Sequence, residues 1–175
     1  MLMKPVLIVL LALLVTAGGA LVACGGDDNQ EPEVEEGRIE GMEHGAGPGV
    51  VSTKPEGAIE VDVALREWAV AAGQPTVEAG EVYFLVENAG PDHPHELVII
   101  RTDLGPLDLP FEENKVPEDQ VDLVDEIEEF APHSSASLTV ELTAGKYLLI
   151  CNITEEDPEI GSHYKKGMVA AITVE

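Results

Sequence analysis

The stretches Tyr147-Leu-Leu-Ile-Cys151-Asn-Ile-Thr154 and Ser162-His163-Tyr-Lys-Lys-Gly167-Met168-Val-Ala-Ala-Ile-Thr-Val174, joined by an acidic loop, decide the fold. Met168, Ala170, Ile172 and Val174 fall on one face of a period-two strand, with Val169, Ala171, Thr173 and Glu175 on the other. Met168 therefore opens this strand on its more apolar face. Upstream, Ala144-Gly145 reads as a turn, and Lys146 to Ile150 as a short strand whose Tyr147 and Leu149 face continues into Cys151. As antiparallel neighbours joined by residues 152–167, the two strands would bring Cys151 and Met168 to one end of a sandwich. His163 would hang from the loop between them.

Residues 58–175 are enough for one domain with a single core. Ile59, Val61, Val63 and Leu65 alternate with Glu60, Asp62, Ala64 and Arg66, the pattern of a half-buried strand. Trp68 follows in a looser stretch. Pro75-Thr-Val-Glu78, the turn Ala79-Gly80 and Glu81 to Glu87 read as strand, turn and strand. Leu97 to Ile100 is a further apolar run, and Leu138, Val140 and Leu142 alternate with Thr139, Glu141 and Thr143. Short strands at this spacing, without helix–strand alternation, predict an all-β antiparallel sandwich. Segment 102–130 carries eleven acidic residues against the single Lys115, with Pro106, Pro110 and Pro117 breaking its first half. Val121, Val124 and Ile127 fit a helical stripe, whereas Val121 and Leu123 fit an edge strand; the segment is read as an acidic surface insertion.

Three histidines compete to join His163. His93 and His95 both precede the strand Leu97 to Ile100 and share parity with Leu97 and Ile99. His95, at the strand's entrance, is expected to point inward, and His93, beside Pro91 and Pro94, to be solvated. His133, in Ala-Pro-His-Ser-Ser, reads as a turn residue.

At the other end of the chain, Lys4 precedes an apolar run from Pro5 to Val15, then small residues and Leu21-Val22-Ala23-Cys24. A basic start, a hydrophobic run too short to span a bilayer and a small-residue site describe a secretory signal over residues 1–23. The Leu-Val-Ala-Cys ending resembles the lipobox of bacterial and archaeal lipoproteins, which implies lipidation at Cys24 and an extracytoplasmic protein held at a membrane. Cys24 and Cys151 are the only cysteines. With Cys24 carrying lipid, Cys151 is a lone thiol in an oxidising compartment, which a bound metal would protect. Residues 24–57 are rich in Asp, Glu, Gly and Pro without apolar periodicity, so they read as a disordered acidic tether. Met42 and His44 are incidental to it.

Val77-Glu-Ala-Gly80-Glu-Val-Tyr-Phe84, Asn88-Ala-Gly90, His95-Glu-Leu-Val98, Ala144-Gly-Lys-Tyr147, Cys151-Asn152 and His163-Tyr-Lys-Lys-Gly-Met168 together resemble the cupredoxins, the small blue copper proteins. The resemblance covers nearly all of 58–175 outside the acidic insertion. It implies a Greek-key β-sandwich and a type 1 copper ion held by His95, Cys151 and His163, with Met168 as the weak axial ligand. By the same analogy the Glu96 backbone N–H bonds the Cys151 sulfur, and Asn152 braces the ligand loops. The spacing between Cys151 and His163 is longer than in the small electron carriers, as it is in the related domains of copper nitrite reductases. The donor set supports the same ion independently: copper shuttling between two charges takes a soft thiolate, two imidazoles and a distant thioether.

These residues predict an electron carrier, not an enzyme, and a monomer. The alternatives are a copper-delivery protein or a metal-free binding module. A structural zinc site takes four strong ligands and more cysteine, and a Cys–His hydrolase needs a base and an oxyanion hole, for which no motif is visible. A second copper site with three histidines, as an oxidase needs, is also not visible. The formal charge of −25 disfavours nucleic acid and anionic lipid surfaces. It suits a basic redox partner, such as a cytochrome or a membrane oxidase subunit, with Glu155, Glu156, Asp157 and Glu159 placed in the ligand loop.

Overall fold

The computed structural model describes residues 49–175. The signal, the lipidation site at Cys24 and the tether as far as residue 48, with Met42 and His44, lie outside the described residues.

Alternating apolar residues build the chain into strands β1 (Ile59–Arg66), β2 (Ala69–Ala72), β3 (Thr76–Val77), β4 (Gly80–Asn88), β5 (His95–Arg101), β6 (Asp122–Phe130), β7 (Ser135–Leu142), β8 (Gly145–Ile150) and β9 (Val169–Val174). One helical turn, α1 (His163–Lys166), interrupts the loop before β9. The strands form a sandwich of two sheets, ordered β2-β1-β4-β7 and β3-β9-β8-β5-β6.

The expected antiparallel arrangement holds for most neighbours, but β1 pairs in parallel with β4, and β3 with β9. Connectivity explains the exception. Between β1 and β4 the chain makes the β1–β2 hairpin and crosses to the other sheet for β3, so it returns to β1's edge in the same direction. A crossover of this kind is what a parallel pair requires. Likewise, the Ala144-Gly145 turn carries the chain from β7 in one sheet to β8 in the other.

Strand parity sorts the apolar residues into two cores. Tyr147, Leu149 and Cys151 face the interior between the sheets with Leu97, Ile99, Phe84 and Met168. Their neighbours Leu148 and Ile150, with Val98 and Ile100, face the opposite side of the five-stranded sheet, where Leu109, Val116 and Tyr164 cover them. A strand buried on both faces loses the alternation of a half-solvated one, which is why Leu97 to Ile100 reads as a continuous run.

The cover comes from segment 102–130, which is more than a surface insertion. Its second half is β6, a nine-residue edge strand paired antiparallel with β5 from Arg101↔Asp122 to His95↔Phe130. Its first half folds back over the sheet, where the Leu109 N–H donates to the Tyr164 hydroxyl at 3.2 Å. The edge-strand reading of Val121 and Leu123 is thus nearer the structure than the helical stripe. Acidic residues remain on the exposed side of β6, and charge on an edge strand discourages pairing with other chains.

Part of the predicted tether is ordered. The Ser137 N–H donates to the Val50 carbonyl at 3.0 Å, the Ser52 N–H to the Ser137 hydroxyl at 2.8 Å, and the Tyr83 hydroxyl to the Ser52 carbonyl at 2.8 Å. These bonds occupy part of the free edge of β7.

Leu109 is 4 % exposed and holds the cover on the sheet. Leu109→Ala is expected to lower the unfolding free energy by about 2–5 kcal/mol in urea titration, the usual cost of a buried leucine truncated to a cavity. A change within about 0.5 kcal/mol would show that the cover adds no packing.

Candidate metal centre

Each donor is delivered by a different local device. His95 is the first residue of β5 and shares the inward parity of Leu97 and Ile99. Cys151 follows β8 in register with Tyr147 and Leu149. His163 opens α1, whose N-terminus is capped by the Ser162 hydroxyl accepting from the Lys165 N–H at 3.3 Å. Gly167 ends the turn at φ 114°, a conformation that favours glycine, and a Cβ there would press on the Trp68 carbonyl at 3.3 Å. Met168 follows at once, fully buried before β9.

Backbone bonds tie these residues into one frame. The Cys151 N–H donates to the Met168 carbonyl at 3.1 Å, the Met168 N–H to the His163 carbonyl at 3.1 Å, and the His163 N–H to the Ile153 carbonyl at 3.0 Å. Such a frame fixes ligand directions independently of any ion.

The resulting donor geometry is compact. His95 Nδ1 lies 3.3 Å from His163 Nδ1, Cys151 Sγ lies 3.4 Å from His163 Nδ1, and Cys151 Sγ lies 3.8 Å from His95 Nδ1. A triangle with those sides has a circumradius of about 2.0 Å, the length of a metal–nitrogen bond and about 0.3 Å short of a metal–thiolate bond, so a small outward shift of the sulfur would seat a transition metal. His95, Cys151, His163 and Met168 are each 0 % exposed, so water does not reach the donors. Two imidazoles and a thiolate in one trigonal set, with a thioether beside them, make the donor set of a type 1 copper centre. His95, Cys151 and His163 are also the one cluster of potential metal ligands among the described residues.

Without a cation this interior favours neutral groups. Burial pushes the Cys151 thiol up to about 12, opposed by bonds from the Glu96 and Ile153 backbone N–H groups. Burial, then the neighbouring charge of His163, lowers His95 to about 4. His163 is lowered by burial, against the pull of Glu155. A bound metal reverses this preference, because it takes the place of the thiol proton.

The outer nitrogens of both imidazoles face carboxylates. His163 Nε2 is 3.1 Å from Glu155 Oε1, so a proton on Nε2 leaves Nδ1 free as a donor atom. The same Glu155 oxygen is 2.7 Å from His93 Nδ1. His93 is therefore half-buried and paired, not solvated as expected, because Glu155 turns in from the ligand loop and Trp68 packs 5.3 Å from its ring. His95 Nε2 faces Glu67 Oε1 at 3.8 Å. Trp68 roofs the group, with its ring 4.8 Å edge-on from His163 and 6.5 Å from His95. Glu67 and Trp68 form the tip of the β1–β2 hairpin. His133 lies in a turn at φ 58° and takes no part.

The Glu96 and Asn152 groups do different work from each other. Beyond its N–H bond to sulfur, the Glu96 carboxylate accepts from the Asn152 N–H at 2.7 Å, linking the His95 strand to the Cys151 loop. Burial, together with nearby Glu126, Glu118 and Glu129, raises this carboxyl to about 7. The Asn152 side chain points instead to the cover: its Oδ1 accepts from the Val116 N–H at 2.7 Å and its Nδ2 donates to the Val116 carbonyl at 2.9 Å. Asn152→Ala leaves both Val116 groups buried and unpaired, so the expected result is a loss of about 1–3 kcal/mol of stability in denaturant titration. Metal affinity is expected to stay at the wild-type value; a large loss would place Asn152 in the ligand frame.

No protein-family model matches the chain, and no curated relative matches it. Among solved structures it is similar to a dithionite-reduced auracyanin from the photosynthetic bacterium Roseiflexus castenholzii, at 18 % identity and TM-score 0.48, over 72 % of this chain and 99 % of that one. It is also similar to auracyanin A, described as a "blue" copper protein from Chloroflexus aurantiacus, at 18 % identity and TM-score 0.48, over 68 % of this chain and 100 % of that one. A third neighbour is rusticyanin from Thiobacillus ferrooxidans, at 21 % identity and TM-score 0.40, over 74 % of this chain and 87 % of that one.

Proposed function

We propose that the protein is a one-electron carrier whose copper ion is held by His95, Cys151 and His163, with Met168 as a weak axial donor. The observation that carries this reading is the buried triangle of donor atoms with sides of 3.3, 3.4 and 3.8 Å. Copper bound there would supply a Cu(I)/Cu(II) couple. The chain's own contribution is rigidity. Backbone bonds hold Cys151, His163 and Met168 in one frame, so little rearrangement would accompany a change of charge.

Burial favours a carrier over copper delivery. Handing an ion to another protein needs a ligand within its reach, and all four residues are 0 % exposed. Electron transfer needs only proximity. Catalysis by a Cys–His pair is disfavoured by the same environment, since a nucleophilic thiol needs a lowered pKa and access, and burial pushes Cys151 up to about 12.

In this reading the protein works outside the cytoplasm, attached through lipid at Cys24 as a monomer, with residues 25–48 providing reach. Its partner is a redox protein with a basic docking face, of the cytochrome or oxidase-subunit type. Glu156, Asp157 and Glu159 stand exposed in the ligand loop and would steer such a partner toward the metal end.

Adding Cu(II) to the purified protein is expected to produce an intense visible thiolate-to-copper absorption that Cys151→Ala abolishes. An unchanged spectrum in the variant would remove Cys151 as the donor, and no absorption in the wild type would overturn the copper reading. Transfer to a basic cytochrome is expected to slow as salt rises from about 0.01 to 0.5 M, because the Debye length shrinks from roughly 30 Å to a few ångströms. Rates independent of salt would reject steering.

A further inference from the structure

We propose that Glu67 is the positioning residue for His95. Together with Glu155 behind His163, it would give both imidazole donors a carboxylate at the outer nitrogen. The inference rests on the copper reading of the same site and concerns how its affinity and potential are set.

Among the described residues, two buried side-chain polar atoms lack a hydrogen-bond partner: Glu67 Oε2 and His95 Nε2. They belong to groups that face each other, with Glu67 Oε1 3.8 Å from His95 Nε2. Binding a metal through Nδ1 obliges the neutral imidazole to carry its proton on Nε2. His95 Nε2 then becomes a donor, and the Glu67 carboxylate is the acceptor placed to receive it. A small closure of the side chain through Oε1 gives the unpaired His95 Nε2–H a charge-assisted bond, while Oε2 stays against Gly90.

The carboxylate is held for that task. Its Oε1 accepts from the His93 N–H at 2.9 Å and the Asp92 N–H at 3.2 Å. Burial raises Glu67's pKa, but these bonds and the nearby His95 outweigh it, so the group stays below the usual carboxylate range. Space for it is made by Gly90, where a Cβ would fall 2.6 Å from Glu67 Oε2. Glu155 makes the matching contact to His163 at 3.1 Å. Two anionic groups acting through the two imidazoles stabilise the more highly charged ion and strengthen the imidazoles as donors.

The test uses the intact chain in detergent micelles, titrated with Zn(II) and, separately, loaded with copper for potentiometry. Glu67→Gln keeps an oxygen for the Asp92 and His93 N–H groups but loses the charge. It is expected to weaken Zn(II) binding by about 10–100-fold and to raise the copper reduction potential. Gly90→Ala, which displaces the carboxylate without altering it, is expected to shift both in the same direction. NMR of the zinc-loaded wild type should show an exchange-protected His95 Nε2–H. Wild-type affinity and potential in folded Glu67→Gln would overturn this inference alone, and should the variant fail to fold, an unprotected His95 Nε2–H would do the same. A wild type that binds neither ion would overturn it together with the copper reading.

Discussion

Three buried donor atoms packed within 4 Å of one another are the constraint on which the metal end depends. Burying polar groups is costly unless they find partners. Here the Cys151 sulfur receives two backbone N–H groups, but the two Nδ1 atoms have only each other and the sulfur. One cation at the centre would satisfy all three. The backbone frame through Cys151, Met168 and His163 holds the donors in place, so the fold itself sets the directions from which an ion would be bound.

Delivering those donors requires β5 and β8 to be central strands, and a central strand in this sheet has two faces to bury. The inner face meets the four-stranded sheet. The outer face would present Val98, Ile100, Leu148 and Ile150 to water if segment 102–130 did not fold over it. Tyr164 links the two requirements, since it sits in α1 directly after His163 and buries its ring in the outer core. Asn152 does the same from the Cys151 side by holding Val116. The cover therefore bears on both ends of the ligand loop, which gives a structural reason for a long, acidic segment.

Much of this was legible from residue order. Parity alone directs Tyr147, Leu149 and Cys151 to one face and puts His95 with Leu97 and Ile99, because side-chain direction along a strand is local. The β8–β9 pairing followed from two apolar runs and one loop. What escaped depends on groups far apart in sequence. Glu67 and Trp68 lie 28 and 27 positions before His95 and look like hairpin residues, and nothing in an acidic loop singles out Glu155 from Glu156. The parallel β1–β4 pair was hidden for a similar reason, since direction depends on where β3 sits and a two-residue strand leaves a weak pattern. His93 was misplaced because prolines on the local chain suggested exposure, whereas its environment comes from Glu155 and Trp68.

The acidity of the chain divides into two physical roles. Exposed carboxylates such as Glu156 and Asp157 act through water, where salt damps their influence within about 10 Å. They bear on solubility and on the approach of a partner. Glu67 and Glu155 act across buried imidazoles, where the effective dielectric is lower and screening is weak. Two carboxylates so placed outweigh many distant ones in deciding which charge state of an ion the site prefers. Net charge, the most conspicuous property of the sequence, thus says little about redox tuning. That property belongs to the geometry of two side chains, one from a hairpin tip and one from the ligand loop, turned toward the outer nitrogens of the same two histidines.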